Sequence, residues 1–164
     1  MKKIFFREEY CMACRLCEIH CLTEHSRSKK ILKAYKEEFP QALPRLVVEQ
    51  KGIGSFALQC RHCSEAPCLA ACSSGAMQRD ADGHVLCNTD KCAGCWMCVM
   101  VCPFGVIRRD TTGQTVAAKC DLCPDRDEPA CVAACPNEAL VYCHATVPAP
   151  AAGAGTKAGK GRRR

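Results

Sequence analysis

Eighteen cysteines stand in a chain of 164 residues, and sixteen of them fall into four groups of four. Cys11, Cys14, Cys17 and Cys21 are separated by two, two and three residues, and Cys92, Cys95, Cys98 and Cys102 repeat that spacing. Cys60, Cys63, Cys68 and Cys72 are separated by two, four and three residues, and Cys120, Cys123, Cys131 and Cys135 by two, seven and three. A thiolate is a soft anionic ligand, so groups of four at such spacing either bind metal or, once oxidised, cross-link the chain. Cys87 and Cys143 are left over and read as small buried hydrophobes, with alternative ligation as the second reading.

Cross-linking belongs to oxidising compartments and normally follows a secretory signal. In the opening MKKIFFREEY the apolar run Ile4-Phe5-Phe6 is cut off by Arg7, Glu8 and Glu9, too short for a signal core, and no stretch reaches the length of a membrane span. The expectation is a cytoplasmic protein without a membrane anchor, its thiols reduced and metal-bound. With aromatics at 5% the chain is short of core and needs such staples. The net charge of +6 arises almost wholly from Lys157, Lys160, Arg162, Arg163 and Arg164, which leave 18 basic against 17 acidic residues elsewhere. That basic tail, residues 147–164, is rich in Pro, Ala and Gly and has no interleaved aromatics. It reads as a solvated or partner-docking segment in preference to a nucleic-acid contact.

The run C-x2-C-x2-C wraps three thiolates around one side of a compact cluster, and in the bacterial run C-x2-C-x2-C-x3-C-P the fourth thiolate serves a neighbouring cluster. Cys92, Cys95 and Cys98 therefore hold one cluster and Cys102 another. Because each group lends one thiolate and borrows one, four groups imply two pairs and four [4Fe-4S] clusters. Pro103 and Pro136 follow the last ligand as in that run, whereas Leu22 and Ser73 take the place in the first two groups. The competing reading, a zinc-binding interaction module, calls for paired C-x2-C knuckles far apart in sequence instead of three ligands in one loop. His20, His25, His84 and His144 show no base set beside a nucleophile, so no catalytic residue is assigned. His62, between Cys60 and Cys63, is read either as a hydrogen-bond donor near a cluster or as a surface residue, and Trp96 as a shield for one.

The text after each C-x3-C recurs, as CSSGAMQRDADG, CPFGVIRRDTTG and CPNEALVY, so one unit is used again: a cysteine loop, a short helix, then a strand. Asp82-Gly83 and Thr112-Gly113 supply turns for hairpins. The fold class is α+β, stapled by clusters, with an irregular C-terminal tail. Between the first two groups, Ser26 to Phe39 sets Ile31, Tyr35 and Phe39 four apart on one helical face, with Ser28 as N-cap and Pro40 as stop.

On these four groups, including C-x2-C-x4-C-x3-C and C-x2-C-x7-C-x3-C, residues 1–143 resemble the four-cluster ferredoxin-like electron-transfer subunits of formate dehydrogenases, hydrogenases, dimethyl sulfoxide reductases and CO dehydrogenase systems. The resemblance implies that outer groups exchange ligands with each other and inner groups likewise. Cys135 would complete Cys11, Cys14 and Cys17; Cys21 would complete Cys120, Cys123 and Cys131; Cys102 would complete Cys60, Cys63 and Cys68; Cys72 would complete Cys92, Cys95 and Cys98. It further implies a domain over residues 1–146 made of two bis-[4Fe-4S] modules. The outer module takes residues 1–30 and 117–146 and the inner module residues 55–116, with a helical and linker insert over 28–54. The segments LQCRHCSEAPC and KCDLCPDRDEPAC look most like small subunits of tungsten aldehyde oxidoreductase or CO dehydrogenase complexes. Expected partners are accordingly a tungsten, molybdenum or nickel enzyme, a flavin-dependent NAD reductase, and further copies of the chain in a filament. A standalone polyferredoxin is the alternative within the same chemistry.

Overall fold

A computed structural model describes residues 1–111, 113 and 115–144. The expected turn at Thr112 and the basic tail lie outside the described residues in whole or part. The element order is β1 (Lys2–Phe6), α1 (Leu16–Glu24), α2 (Ile31–Lys36), β2 (Leu46–Lys51), β3 (Gly54–Gln59), α3 (Pro67–Ala70), β4 (Met77–Arg79), β5 (Val85–Cys87), α4 (Met97–Val101), β6 (Arg108–Asp110), β7 (Val116–Ala118), α5 (Ala130–Ala133) and β8 (Leu140–His144). It is a mixed α and β chain of short helices and short antiparallel strands. None of the described helices is long and apolar enough to cross a membrane.

The strands pair two by two, β1 with β8, β2 with β3, β4 with β5 and β6 with β7, all antiparallel. Three of these are hairpins between sequence neighbours. The fourth joins the first strand to the last, with Lys2 opposite His144 and Phe6 opposite Leu140. Helices α1, α3, α4 and α5 each carry a group cysteine followed four residues later by the last of that group, as the repeat predicts, and the loop-helix-strand order holds for the last three groups.

The buried residues gather in two places. One cluster joins Ile4, Leu46, Val48, Ala57, Val132 and Leu140 to Cys17, Cys21 and Cys131. The other joins Met77, Ile107 and Ala117 to Cys98. In both, cysteine stands where a larger domain would place leucine, which is what a chain poor in aromatics has available.

Residues 28–54 differ from the helix and linker read in the sequence. Helix α2 covers only Ile31–Lys36, capped by Lys30 and not by Ser28, and it buries Ala34 while Ile31, Tyr35 and Phe39 face solvent. An apolar stripe of three residues spaced four apart needs a surface to cover, and here the packed contact is made by the small residue Ala34 instead. The second half of the segment is strand: β2 and β3 close on the two-residue turn Gly52-Ile53, with Gly52 at φ 59°. Gln59 Nε2 donates to the Ile4 carbonyl at 3.1 Å, and the rings of Phe6 and Phe56 meet edge-on at 4.9 Å, so this hairpin is docked on β1.

The turn between α1 and α2 hangs on Glu38, whose carboxylate accepts the backbone N–H groups of Arg27 at 2.9 Å and Ser28 at 2.8 Å. Hydrogen bonding to Ser28 holds this carboxyl below its ordinary value of 4.5. A lowered folded value stabilises the fold above 4.5, and the contribution is lost as pH falls through that lower value. Glu38→Gln is therefore expected to melt a few degrees below the parent at neutral pH. In thermal unfolding across acidic pH, the gap between the two proteins should close as the parent carboxylate is protonated.

Candidate functional site

Two residues after the first cysteine of every group the backbone turns left-handed, at Ala13 (φ 54°), His62 (44°), Gly94 (64°) and Leu122 (64°). In the two C-x2-C-x2-C loops a second such residue follows, Arg15 (59°) and Trp96 (63°), immediately before α1 and α4. Non-glycine residues held this way cost of order 1–3 kcal/mol each, so something recovers the strain. Successive N–H groups in such turns converge on a concavity that holds anions, iron-sulfur sites among them. The third residue after the last cysteine is left-handed too, at Gly75, Gly105 and Glu138, and its N–H returns to the carbonyl of Cys72, Cys102 or Cys135 at 3.2–3.3 Å. The repeat seen in the text is thus a repeat of backbone conformation.

The sixteen group cysteines carry no disulfide. Cys11, Cys14 and Cys17 line one cavity with Cys135, from more than a hundred residues away. Cys60, Cys63 and Cys68 line another with Cys102. For the remaining two sets the thiols' mutual influence reports their proximity. Cys131 feels Cys120, Cys21 and Cys123, and Cys98 feels Cys92 and Cys72. Cys95 is exposed at the tip of its loop, as is Cys14 at the equivalent place in the first. Across sets, Cys131 also feels Cys17, Cys120 feels Cys60, and Cys98 feels Cys68. Neighbouring sets therefore lie within electrostatic reach of one another.

Burial, then neighbouring charge, pushes the thiols up: Cys17 to about 12, Cys98 and Cys123 to about 11, with Cys120 and Cys131 also raised. Such thiols repel one another's anions, and a donor set of this kind wants a cation at its centre. The closing thiols are further prepared by backbone donors. Arg45 N–H reaches Cys21 Sγ at 3.1 Å, Met77 N–H reaches Cys72 Sγ at 3.3 Å and Ala139 N–H reaches Cys135 Sγ at 3.2 Å. Donors to sulfur stabilise thiolate character and tune any centre it holds. The residues present fit a cluster-type metal centre.

His62 is buried, not on the surface, at 1% exposure, and both its ring nitrogens lack a hydrogen-bond partner among the described residues. Burial, then Lys119, pushes it down to about 3, so it is a neutral imidazole in the cavity wall of Cys60. Its ring stands edge-on to His84 at 5.5 Å. At His25 burial works downward, but the hydrogen bonds to Asp121 at 3.2 Å and to Cys21 carry it up to about 10, making an ion pair beside Cys21. Trp96 is half-buried, with the Arg109 guanidinium 5.8 Å from its ring centroid.

Some site residues escaped the sequence. Val48 and Ala57 of the β2–β3 hairpin line the Cys11 cavity, and the β-branched pair Val47-Val48 followed by the turn residues Gly52-Ile53-Gly54 was the available signal. Lys119 lines the Cys60 cavity; nothing in KCDLC separates a buried lysine from a surface one. Cys87 packs beside Cys92, Cys98 and Cys72 rather than in a purely apolar setting.

Residues 53–145 match the family model described as a 4Fe-4S dicluster domain. An iron-sulfur protein of Rhodospirillum rubrum is 40% identical over 152 residues, spanning 84% of this chain and 79% of the relative. The electron transport protein HydN of Escherichia coli K12 is 40% identical over 80% of this chain and 81% of its own length. The thiosulfate reductase electron transfer subunit PhsB of Salmonella typhi is 33% identical over 82% of this chain and 71% of its own. With its repeated cysteine loops and these relatives along most of its length, the chain belongs to the 4Fe-4S dicluster, ferredoxin-like electron-transfer family.

Proposed function

We propose that the chain is a non-catalytic relay subunit holding four [4Fe-4S] clusters in line. Cys11, Cys14 and Cys17 with Cys135 would hold the first, and Cys120, Cys123 and Cys131 with Cys21 the second. Cys60, Cys63 and Cys68 with Cys102 would hold the third, and Cys92, Cys95 and Cys98 with Cys72 the fourth. The observation that carries the reading is the crossing thiol, Cys135 in the cavity of the first group and Cys102 in that of the second. Each cluster supplies one-electron chemistry, and the protein sets its potential through burial, charge and hydrogen bonds to sulfur. The division into an outer module of residues 1–30 and 117–146 and an inner module of 55–116 is part of the proposal, with the β2–β3 hairpin as a lid on the outer one.

Four cysteines per cluster leave no open coordination position for a substrate, so the chemistry belongs to a partner. PhsB is named as an electron transfer subunit of a reductase, and we assign this chain the same kind of place: one exposed end, at Cys14 or Cys95, against a catalytic subunit and the other against a second redox protein. The finer assignment is a tungsten or molybdenum aldehyde oxidoreductase and a flavin-dependent NAD reductase. CO dehydrogenase, formate dehydrogenase and hydrogenase complexes are the alternatives. Filament formation and a cytoplasmic location remain part of this proposal.

Anaerobic purification of the chain with its bound partners, followed by elemental and sulfide analysis, tests it. About sixteen iron and sixteen sulfide per chain are expected, with tungsten or molybdenum in the complex. Nickel would transfer the assignment to a CO dehydrogenase or hydrogenase. Zinc in a colourless, air-stable protein would overturn the relay.

A further inference from the structure

The four thiol sets differ in the charges around them. Beside Cys17 stands Glu18, with the exposed Arg15 3.9 Å away. Around Cys123 stand Asp121 and Glu24; His25 pairs with Asp121, while Lys29 and Arg126 reach Glu24 from the surface at 3.1 and 3.2 Å. The Cys60 set is different. Lys119 is only 5% exposed and lines that cavity, its ammonium donating to the carbonyl of Val85 and to that of Cys120 at 3.2 Å. Its charge opposes the effect of burial on Cys68.

The same cavity wall carries His62. A buried ring with two unpartnered nitrogens is costly unless something in the cavity accepts from it. His84 packs edge-on against the ring at 5.5 Å, and His84 is itself held by Asp80 at 3.0 Å and by the Lys2 carbonyl at 2.8 Å. Lys3 adds a second positive charge in the neighbourhood of the ring, and Asp80 a negative one that opposes it. A cation and an N–H donor lining one cavity both favour the reduced, more negative state of a centre held there.

From this we infer that Lys119 and His62 make the centre of Cys60, Cys63, Cys68 and Cys102 the highest in potential of the four, so that the first electron to enter the chain rests there. The inference depends on the ligand assignment proposed above. Because this set is internal to the series, the chain stores one electron between its two ends instead of passing it down a uniform slope. Lys119 also lies next to Cys120, so its field reaches that centre to a lesser degree.

The test is an anaerobic redox titration of the loaded, full-length chain followed by electron paramagnetic resonance. Lys119→Met is expected to lower the highest midpoint by at least tenfold in its one-electron equilibrium, about 59 mV. Lys119→Arg should restore it. His62→Leu should lower the same midpoint by a smaller step, and the Cys17 and Cys98 centres should not move. Cys102→Ser identifies which signal belongs to the Cys60 set. An unmoved highest midpoint in fully loaded Lys119→Met, or a highest midpoint that Cys102→Ser leaves untouched, overturns the inference. If Lys119→Met fails to load iron, Lys119→Arg and His62→Leu decide. Should Cys102→Ser disturb the signal of Cys92, Cys95 and Cys98 instead, the ligand assignment fails, which is a different result.

Discussion

Cys102→Ser is expected to cost the protein the cluster of Cys60, Cys63 and Cys68 while the three cysteines of its own loop keep theirs. Cys102 stands four residues beyond Cys98, at the end of α4, and it lines the cavity of the second group. Removing one of four ligands should drop iron from about sixteen to about twelve per chain. Cys72→Ser is the reciprocal variant and should strike the Cys92 set. Iron analysis with resonance spectra of both variants decides. A loss confined to the loop that bears the substitution would remove the crossing and the serial arrangement with it.

Gly94→Ala should do comparable damage by another route. At φ 64° an alanine is strained, yet Ala13, His62 and Leu122 occupy the equivalent turn in the other groups, so the left-handed backbone alone is tolerated. What sets Gly94 apart is the opposite chain. A Cβ built there would stand 2.6 Å from the Thr115 carbonyl oxygen and 2.7 Å from Thr115 Cγ2. The oxygen is backbone and leads directly into β7, so it cannot swing aside as a flexible side chain would. Strain of about 1–3 kcal/mol from the turn then adds to overpacking of about 1–3 kcal/mol. The expected result is a lower melting temperature of the loaded protein and loss of the Cys92 signal, the other three persisting. Ala13→Gly is the matched control and should load normally. A Gly94→Ala protein that loads fully and melts with the parent would show that the approach of Thr115 is not required.

The parts of this protein legible in sequence are those whose cause is local. Cysteine spacing, the repeated C-x3-C helix, the strand after it and the turn at Asp82-Gly83 all follow from a few adjacent residues, and β4 and β5 do pair across that turn. The meeting of Cys135 with Cys11 is not local, and only the likeness to a known family suggested it. The stripe of Ile31, Tyr35 and Phe39 misled because helical periodicity says which face is apolar and not whether anything lies against it; the chain buries Ala34. His62 was an even choice between wall and surface, settled by packing from His84, a residue 22 positions away. Lys119 was silent for the same reason, since its two acceptors are carbonyls and leave no trace in residue types.

The pairing of β1 with β8 also fixes a timetable. Synthesis delivers Lys2–Phe6 long before Leu140–His144, so β1 has no edge to pair with until nearly all of the described residues have emerged. On the proposed map Cys11, Cys14 and Cys17 wait just as long for Cys135, whereas the second and third groups complete each other between residues 60 and 102. The middle of the protein can be metallated on the ribosome while its beginning is still a set of bare thiols. The donor of iron and sulfide would then work from the inside outward, and the first loop made would be the last one filled.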